Sequence, residues 1–396
     1  MDTTEQPTQR HHDTRRTHRK SRNGCLTCKQ RRVKCDEGRP TCSKCAVGGR
    51  QCSYRNQKPE TTTLTAPGGS ETPETATLTL TTPRGSKTPE PRAKSGAFTA
   101  MDLSFLHHAE CNLAEFMALQ CDVRPIITLA VDNALTTPYL LDQLLALSAL
   151  HRAVSDPSMA SIYDQQATEL QTRALSAFNE TKADISESNH LTSFVFATLL
   201  GVHVLRDTLA KNHDTLVAFI SAFVAYIRLH RGVRAVTNQY WGLILQSELK
   251  PLLYIVDWTE RAQELEPGTE TAGMREFLQS APGLSSISLE ACLSALKWVQ
   301  WVLDTIKMEP TRFDLAVHAT MAWPLLIPDD YVDALYQHRP EAFAVLSYYA
   351  AIVRRYREFW VFRGAGLTLM ELIARHVGPF WCEAMTWPQS QLVEEE

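Results

Sequence analysis

No unbroken run of apolar residues in the sequence reaches about 18, the length that a membrane-spanning helix needs. The first residues are polar and charged and lack the apolar segment of a secretory signal. We therefore expect that the protein does not enter a compartment in which disulfides form. Three motifs common in enzymes are also missing: a glycine-rich phosphate loop, a His-Glu-x-x-His zinc motif and a Gly-x-Ser-x-Gly elbow. The sequence therefore predicts neither a membrane span nor a catalytic domain.

The sequence has instead a dense group of cysteines. Six of the 10 cysteines fall in one short segment, where the spacing Cys-x2-Cys-x6-Cys occurs twice. A Cys-x2-Cys step places two thiolates on one tetrahedral metal, and zinc is the usual occupant in a reducing compartment. Six thiolates are too few for two separate four-cysteine sites and too many for one. They suffice for two zinc ions if two sulfurs bridge, and the internal symmetry nominates the first cysteine of each half. The predicted ligands are Cys25, Cys28, Cys35, Cys42, Cys45 and Cys52, with Cys25 and Cys42 as bridges.

The segment from Gly24 to Cys45 resembles the fungal binuclear zinc-cluster domain, Zn2Cys6. The resemblance extends to the basic run before Cys35 and to Pro40 in the loop between the halves. It implies a domain at residues 20–55 that holds two zinc ions and binds double-stranded DNA at CGG-type half-sites in the nucleus. A short helix is expected after each Cys-x2-Cys pair, and the basic one should enter the major groove.

Four basic residues of the first half are the predicted DNA contacts. By the resemblance, the base-reading positions fall on Arg31 and Arg32, and arginine is a suitable bidentate donor to guanine O6 and N7. Lys29 and Lys34 are better placed for phosphates, which position a domain without specifying sequence. Arg31 and Arg32 have an alternative role. A cluster of two zinc ions and six thiolates is net negative, and these two arginines would offset its charge.

Charge is divided unevenly along the chain. Residues 1–55 contain 14 Lys and Arg against 5 Asp and Glu, a net charge of +9, and the rest of the chain has 26 against 39, a net charge of −13. A basic head on an acidic body is the asymmetry expected when one small domain binds a polyanion.

Three further segments follow from composition and periodicity. Residues 1–19 are predicted to be a disordered basic arm, and residues 56–99, rich in Thr, Pro, Gly, Ser and Glu, a disordered linker. Residues 100–396 are predicted to form a large all-helical regulatory domain. No heptad repeat runs through the linker, so a homodimer would use contacts in the helical domain.

Helices are expected near 140–150, with Pro138 at the N-terminal end, and near 158–180, 190–206, 213–230, 239–257, 287–307, 329–337, 340–361 and 366–385. Breaks are expected at Asp156-Pro157, Arg231-Gly232, Glu266-Pro267-Gly268 and Ala281-Pro282-Gly283.

The helical region more faintly resembles that of fungal sterol-uptake control regulators, through the segments 144–153 and 339–350 and the pair Phe359-Trp360. The resemblance implies a ligand-binding domain with an apolar pocket for a molecule such as a sterol. Nine aromatic residues are candidates for lining it, although burial preference favours core packing for them. They are Tyr348, Tyr349, Tyr356, Phe359, Trp360, Phe362, Phe380, Trp381 and Trp387.

These features together predict a nuclear, sequence-specific transcription factor whose helical domain recruits the transcription machinery. Members of the family are usually activators, which favours an activator here, and the expected target genes belong to sterol or secondary metabolism. Two alternatives stay open: a zinc- or redox-sensing regulator, and a helical ligand-binding scaffold with only auxiliary DNA contact.

Overall fold

The computed structural model of the chain describes residues 25–31, 33, 35–37, 42–47, 52, 98–181, 185–211, 213–255 and 266–391. The chain divides into two compact units, Met1–Glu90 and Pro91–Glu396. The predicted basic arm and almost all of the predicted linker lie outside the described residues.

The first unit contains two short helices, one in each half of the cysteine repeat. Helix α1 spans Leu26–Gln30 and α2 spans Ser43–Val47. Both helices begin inside the Cys-x2-Cys pair, whereas the sequence had led us to expect a start after it. The reason is visible at α1, where Cys25 is the N-cap and its sulfur accepts a hydrogen bond from the backbone N–H of Cys28 (3.4 Å). A thiolate in this position suits the positive end of the helix dipole.

The described residues of the second unit form helices joined by turns and loops and contain no β-strand. Its first helices are α3 (Ala100–Phe116), α4 (Arg124–Asp132), α5 (Pro138–Ser155), α6 (Ala160–Thr181), α7 (His190–Ala210) and α8 (Leu216–Thr237). A short 3-10 turn, Asn238–Tyr240, leads to α9 (Trp241–Ile244), and a second, Lys250–Leu253, follows it. The remaining helices are α10 (Ala272–Ser280), α11 (Ser286–Met308), α12 (Phe313–Leu326), α13 (Asp329–Tyr336), α14 (Pro340–Arg355), α15 (Ala365–His376), α16 (Pro379–Glu383) and α17 (Thr386–Ser390). The predicted all-helical class is confirmed.

Two nearly buried helices organise this unit. Helix α5 is buried at almost every position and packs against α3, α4, α6 and α7. Helix α14 is likewise buried and packs against α11, α13, α15 and α17. Helix α8 joins the two groups, because it contacts α7 on one side and α12, α13 and α15 on the other. The two groups share one continuous hydrophobic core.

Helix α7 is long and apolar enough to cross a membrane by length and composition alone. Its apolar window is 67% buried inside the helical unit, and the helix packs against α5 and α8. A core helix passes the same length and composition test, so this finding is weak support for a membrane span.

The predicted helix at 239–257 is wrong. Helix α9 stops at Ile244, because Ser247 forms local hydrogen bonds that compete with helical ones. Its hydroxyl donates to the carbonyl of Ile244 (2.7 Å) and accepts from the N–H of Leu249 (3.2 Å). Pro251 follows and has no N–H to continue a helical ladder.

The predicted break at Arg231-Gly232 is also wrong, since α8 continues to Thr237. The guanidinium of Arg231 donates to the backbone carbonyls of Pro324 and Ile327 at the end of α12, and contacts the Asp329 carboxylate at 2.6 Å. These tertiary hydrogen bonds hold the helix in place where the local sequence suggests an end.

Candidate metal centre and nucleic-acid interface

The six clustered cysteines form two overlapping groups of four. One group is Cys25, Cys28, Cys35 and Cys42, and the other is Cys25, Cys42, Cys45 and Cys52. Within each group, all four sulfurs lie within 4.8 Å of one another. The groups share Cys25 and Cys42, which is the sharing that the twofold spacing of the sequence predicts.

The separations between sulfurs fit a tetrahedral zinc ion. The sulfur of Cys25 lies 3.7 Å from those of Cys42 and Cys45, and the sulfurs of Cys28 and Cys42 are 3.6 Å apart. A zinc–sulfur bond of about 2.3 Å gives a tetrahedron with edges of about 3.8 Å. A disulfide would bring two sulfurs to about 2.0 Å. The donor set therefore suits two zinc ions with two bridging thiolates and does not suit disulfides.

Backbone N–H groups point at the sulfurs in a repeated pattern. The N–H of Cys25 donates to the sulfur of Cys35 (3.4 Å), and the N–H of Cys42 donates in the same way to Cys52 (3.3 Å). The N–H of Glu37 adds a second donor to Cys35 (3.4 Å). These dipoles stabilise thiolates and orient them toward a metal, which is the usual work of the groups around a metal site.

Burial makes these thiols poor acids on their own. Burial raises the pKa of Cys25 to about 12 and raises the pKa of Cys28 and Cys42 as well. Cys52 differs, because the N–H of Cys42 lowers the pKa of its thiol. Buried thiolates need a compensating positive charge, and bound zinc supplies it when it displaces the protons.

A carboxylate links the two halves of the cluster unit. Asp36 follows Cys35 in the first half, and its Oδ2 accepts hydrogen bonds from the hydroxyl (2.7 Å) and the N–H (3.1 Å) of Ser43, the first residue of α2. These bonds lower the pKa of Asp36. The link fixes the start of the second helix relative to the end of the first half.

The predicted DNA contacts are only partly placed by the structure. Lys29 lies on α1 and Arg31 is its C-cap, and both side chains are exposed on a unit whose cysteines are buried. Arg32 and Lys34 lie outside the described residues. In the second half, the exposed lysine of α2 is Lys44.

The helical unit contains an apolar cavity of 430 Å³ between α7, α8, α12 and residues 241–255. None of the nine aromatic candidates lines it, so their prediction as its lining is wrong for this cavity. Tyr348, Tyr349, Phe359, Trp360 and Phe362 are instead core residues. Their burial follows from packing on α14 and the segment after it, as the ordinary preference of aromatic side chains favours.

The four cysteines outside the cluster do not approach one another closely enough to form a metal-binding group within the described residues. Of these four, Cys111, Cys121, Cys292 and Cys382, only Cys292 is fully buried. Cys111 is exposed, because it lies on the outer face of α3 beside His107.

The geometry of the first unit defines a binuclear metal-cluster module with exposed cations on its first helix. Comparison with known proteins identifies this module: residues 23–61 match the fungal Zn(2)-Cys(6) binuclear cluster domain. The chain thus contains this domain, which binds two zinc ions, and the resemblance predicted from the cysteine spacing is confirmed.

Two fungal proteins are similar to this chain over most of its length, and a third is similar over a short segment. A Zn(2)-C6 fungal-type transcription factor of Gibberella zeae is 24% identical across 94% of this chain and 86% of its own length. The Zn(2)-C6 fungal-type transcription factor afumD of Aspergillus fumigatus is 25% identical across 83% of this chain and 84% of its own length. Sterol uptake control protein 2 of Candida albicans is 56% identical over 43 residues, which is 11% of this chain and 6% of that protein. That last match is too short to extend across the helical unit, so a likeness there to sterol-uptake regulators stays a prediction.

Proposed function

We propose that this protein is a nuclear, sequence-specific DNA-binding factor that regulates transcription by RNA polymerase II. The observation that carries the proposal is the double cysteine cluster with Lys29 and Arg31 exposed at its first helix. The basic head of the chain and the names of its relatives support it. Transcription factors are in general not enzymes, and the proposal includes no catalytic role.

In the proposed mechanism the six cysteines hold the two zinc ions and thereby fix the fold of the head. Cys25 and Cys42, which belong to both groups, would be shared by the two ions, and the other four cysteines would each hold one ion. Bound zinc supplies the positive charge that the buried thiolates require. The Asp36–Ser43 link and the backbone donors then hold the two halves of the cluster unit in one orientation, so the basic side chains approach DNA as a rigid set.

Arg31 and Arg32 are proposed to contact guanines in CGG-type half-sites, and Lys29 and Lys34 to contact phosphates. Each bidentate arginine–guanine pair contributes about 1–3 kcal/mol of discrimination against a wrong base. A phosphate contact adds affinity for every sequence alike and increases the dependence on salt.

The test is selection of randomised duplex DNA by the zinc-loaded full chain. Arg31→Ala with Arg32→Ala should lose the CGG-containing site that the natural chain enriches. A matched control is Lys44→Ala with Arg50→Ala, which removes the same charge from the second half. The control should keep the site preference and lose only some affinity. Equal, salt-sensitive binding of all sequences by all three proteins would contradict the proposal and favour a scaffold with auxiliary DNA contact.

The finer parts of the proposal rest on the sequence and its resemblances alone. They are activation rather than repression, recruitment of the transcription machinery, a homodimer formed through the helical domain, and target genes in sterol or secondary metabolism. A reporter gene placed behind the selected site tests the first: increased expression with the intact chain supports an activator, and decreased expression contradicts it.

A further inference from the structure

The 430 Å³ cavity of the helical unit has a lining that is almost wholly apolar. Its walls come from α7 in the first group of helices and from α8 and α12, which pack with the second group. Five of its lining residues carry polar side-chain atoms: Thr198, Tyr226, His230, Trp241 and His318. An apolar cavity with a few convergent polar groups is the usual form of a small-molecule site.

The polar groups indicate which part of a ligand they can bind. Thr198 donates its hydroxyl to the carbonyl of Phe194 (3.0 Å), so this hydrogen is already engaged. Tyr226 and His230 lie one turn apart on α8, with the tyrosine oxygen 3.4 Å from Nδ1 of the histidine. At that distance the pair is at the limit of a hydrogen bond, and the tyrosine hydroxyl would form a shorter one to a ligand hydroxyl or carbonyl in the cavity.

A glycine allows His230 to occupy this wall. A Cβ placed on Gly201 of α7 would lie 2.3 Å from Cε1 of His230, so the imidazole rests directly against the α7 backbone. Both residues line the cavity. The ring is therefore held at the wall by the close approach of two helices.

The lining also restricts the charge of a ligand. No Asp, Glu, Lys or Arg belongs to the described lining. Nε2 of His318 faces the carbonyls of Met117 (3.0 Å) and Ala118 (3.1 Å), which only accept, so this nitrogen carries the proton. Burial lowers the pKa of His318, which keeps the ring neutral. A charged group in such a site would lose its hydration without a partner, so a neutral ligand is favoured.

The volume of the cavity limits the size of its ligand. At the packing density of protein interiors, about 0.75, the cavity holds a molecule of roughly 20 non-hydrogen atoms. A complete sterol with its side chain exceeds this size. We propose that the cavity is a binding site for a neutral, mainly apolar molecule of roughly 20 non-hydrogen atoms with one hydroxyl or carbonyl group. Its use as a regulatory site rests on the proposed function, whereas binding itself does not.

The experiment measures thermal unfolding of the full chain without DNA, in the presence of farnesol, a neutral terpenoid alcohol close to this size. A ligand that binds only the folded unit raises its unfolding temperature, by about 5 °C at a hundredfold excess over Kd. Farnesoic acid, with the same chain and a carboxylate, should bind at least tenfold more weakly. Ergosterol should give no shift.

Three variants locate the site. Ala322→Phe fills the cavity from α12 and should abolish the shift, while Ala114→Phe, at a partly buried alanine outside the cavity, should keep it. Tyr226→Phe keeps the ring and should weaken farnesol binding about fivefold to tenfold through loss of one hydrogen bond.

No shift with farnesol, an undiminished shift in Ala322→Phe, acid binding as tight as alcohol binding, or a shift with ergosterol alone would each overturn the proposal. Because no DNA is present, failure here is distinct from failure of the DNA selection experiment.

Discussion

A sulfur shared by both metal groups should matter more for zinc binding than a sulfur that belongs to one. Cys25 is a member of both groups and Cys28 of one. Structural zinc is bound with about 10–16 kcal/mol in small zinc domains, so each of four ligands contributes about 2.5–4 kcal/mol. Cys28→Ser should therefore weaken one zinc ion by about two to three decades and leave the other with four sulfurs. Cys25→Ser removes a ligand from both ions and should weaken each by that amount.

The assay is zinc content of the full chain after dialysis against chelators of increasing strength. The natural chain should retain two ions, Cys28→Ser one tightly held ion, and Cys25→Ser none at the same chelator strength. Cys111→Ser is the control, because this exposed cysteine lies outside the cluster, and it should retain both ions. If Cys25→Ser kept one ion as tightly as the natural chain, or if Cys28→Ser lost both as completely as Cys25→Ser, the sharing of sulfurs would be refuted.

Three further predictions concern the helical unit, each checked by urea unfolding. Gly366→Ala should lower the free energy of unfolding by about 1–3 kcal/mol, because its Cβ would lie 2.3 Å from a backbone nitrogen of α14. A Cβ added at Gly273 meets nothing within 4 Å, so Gly273→Ala should raise the free energy of unfolding by up to about 1 kcal/mol. Trp360→Phe should cost about 1–3 kcal/mol, since Nε1 donates to the buried carbonyl of Phe116 (2.7 Å); an unchanged midpoint would contradict this. Burial lowers the pKa of His151 from 6.5 to about 4, so the unfolded chain binds more protons between these values and stability should fall as the pH drops through that window. His151→Gln should flatten this dependence, and an identical slope would show that another group causes it.

The metal centre was the part of the protein most accessible from the sequence. All six cysteines lie within 28 residues, and the chemistry of thiolates and the local reach of the chain leave few arrangements for that spacing. Helices such as α5 were similarly accessible, because Pro138 and a 3.6-residue apolar period are local signals.

Some elements were missed although a local signal existed. Helix α3 begins with a capping box, in which Thr99 Oγ1 accepts from the N–H of Asp102 (3.2 Å) and Asp102 Oδ2 accepts from the N–H of Thr99 (2.8 Å). The pattern Thr-x-x-Asp before an apolar stretch announces this start in the sequence. In helix α12 the local signal points the wrong way. Pro324 lies inside the helix and would normally interrupt it, yet the helix forms.

By itself the sequence determined the zinc cluster, its shared sulfurs, the basic head and the helical class of the rest, since each depends on residues close together in the chain. Only the tertiary structure decided where the cavity lies, why α8 continues past Arg231, and which aromatic residues of the last 50 positions pack into the core, namely Tyr348, Tyr349, Phe359, Trp360 and Phe362. Those outcomes depend on partners far apart in sequence, such as Gly201 with His230, or Arg231 with Ile327. Their pairing is set by how whole helices pack, which no local pattern encodes.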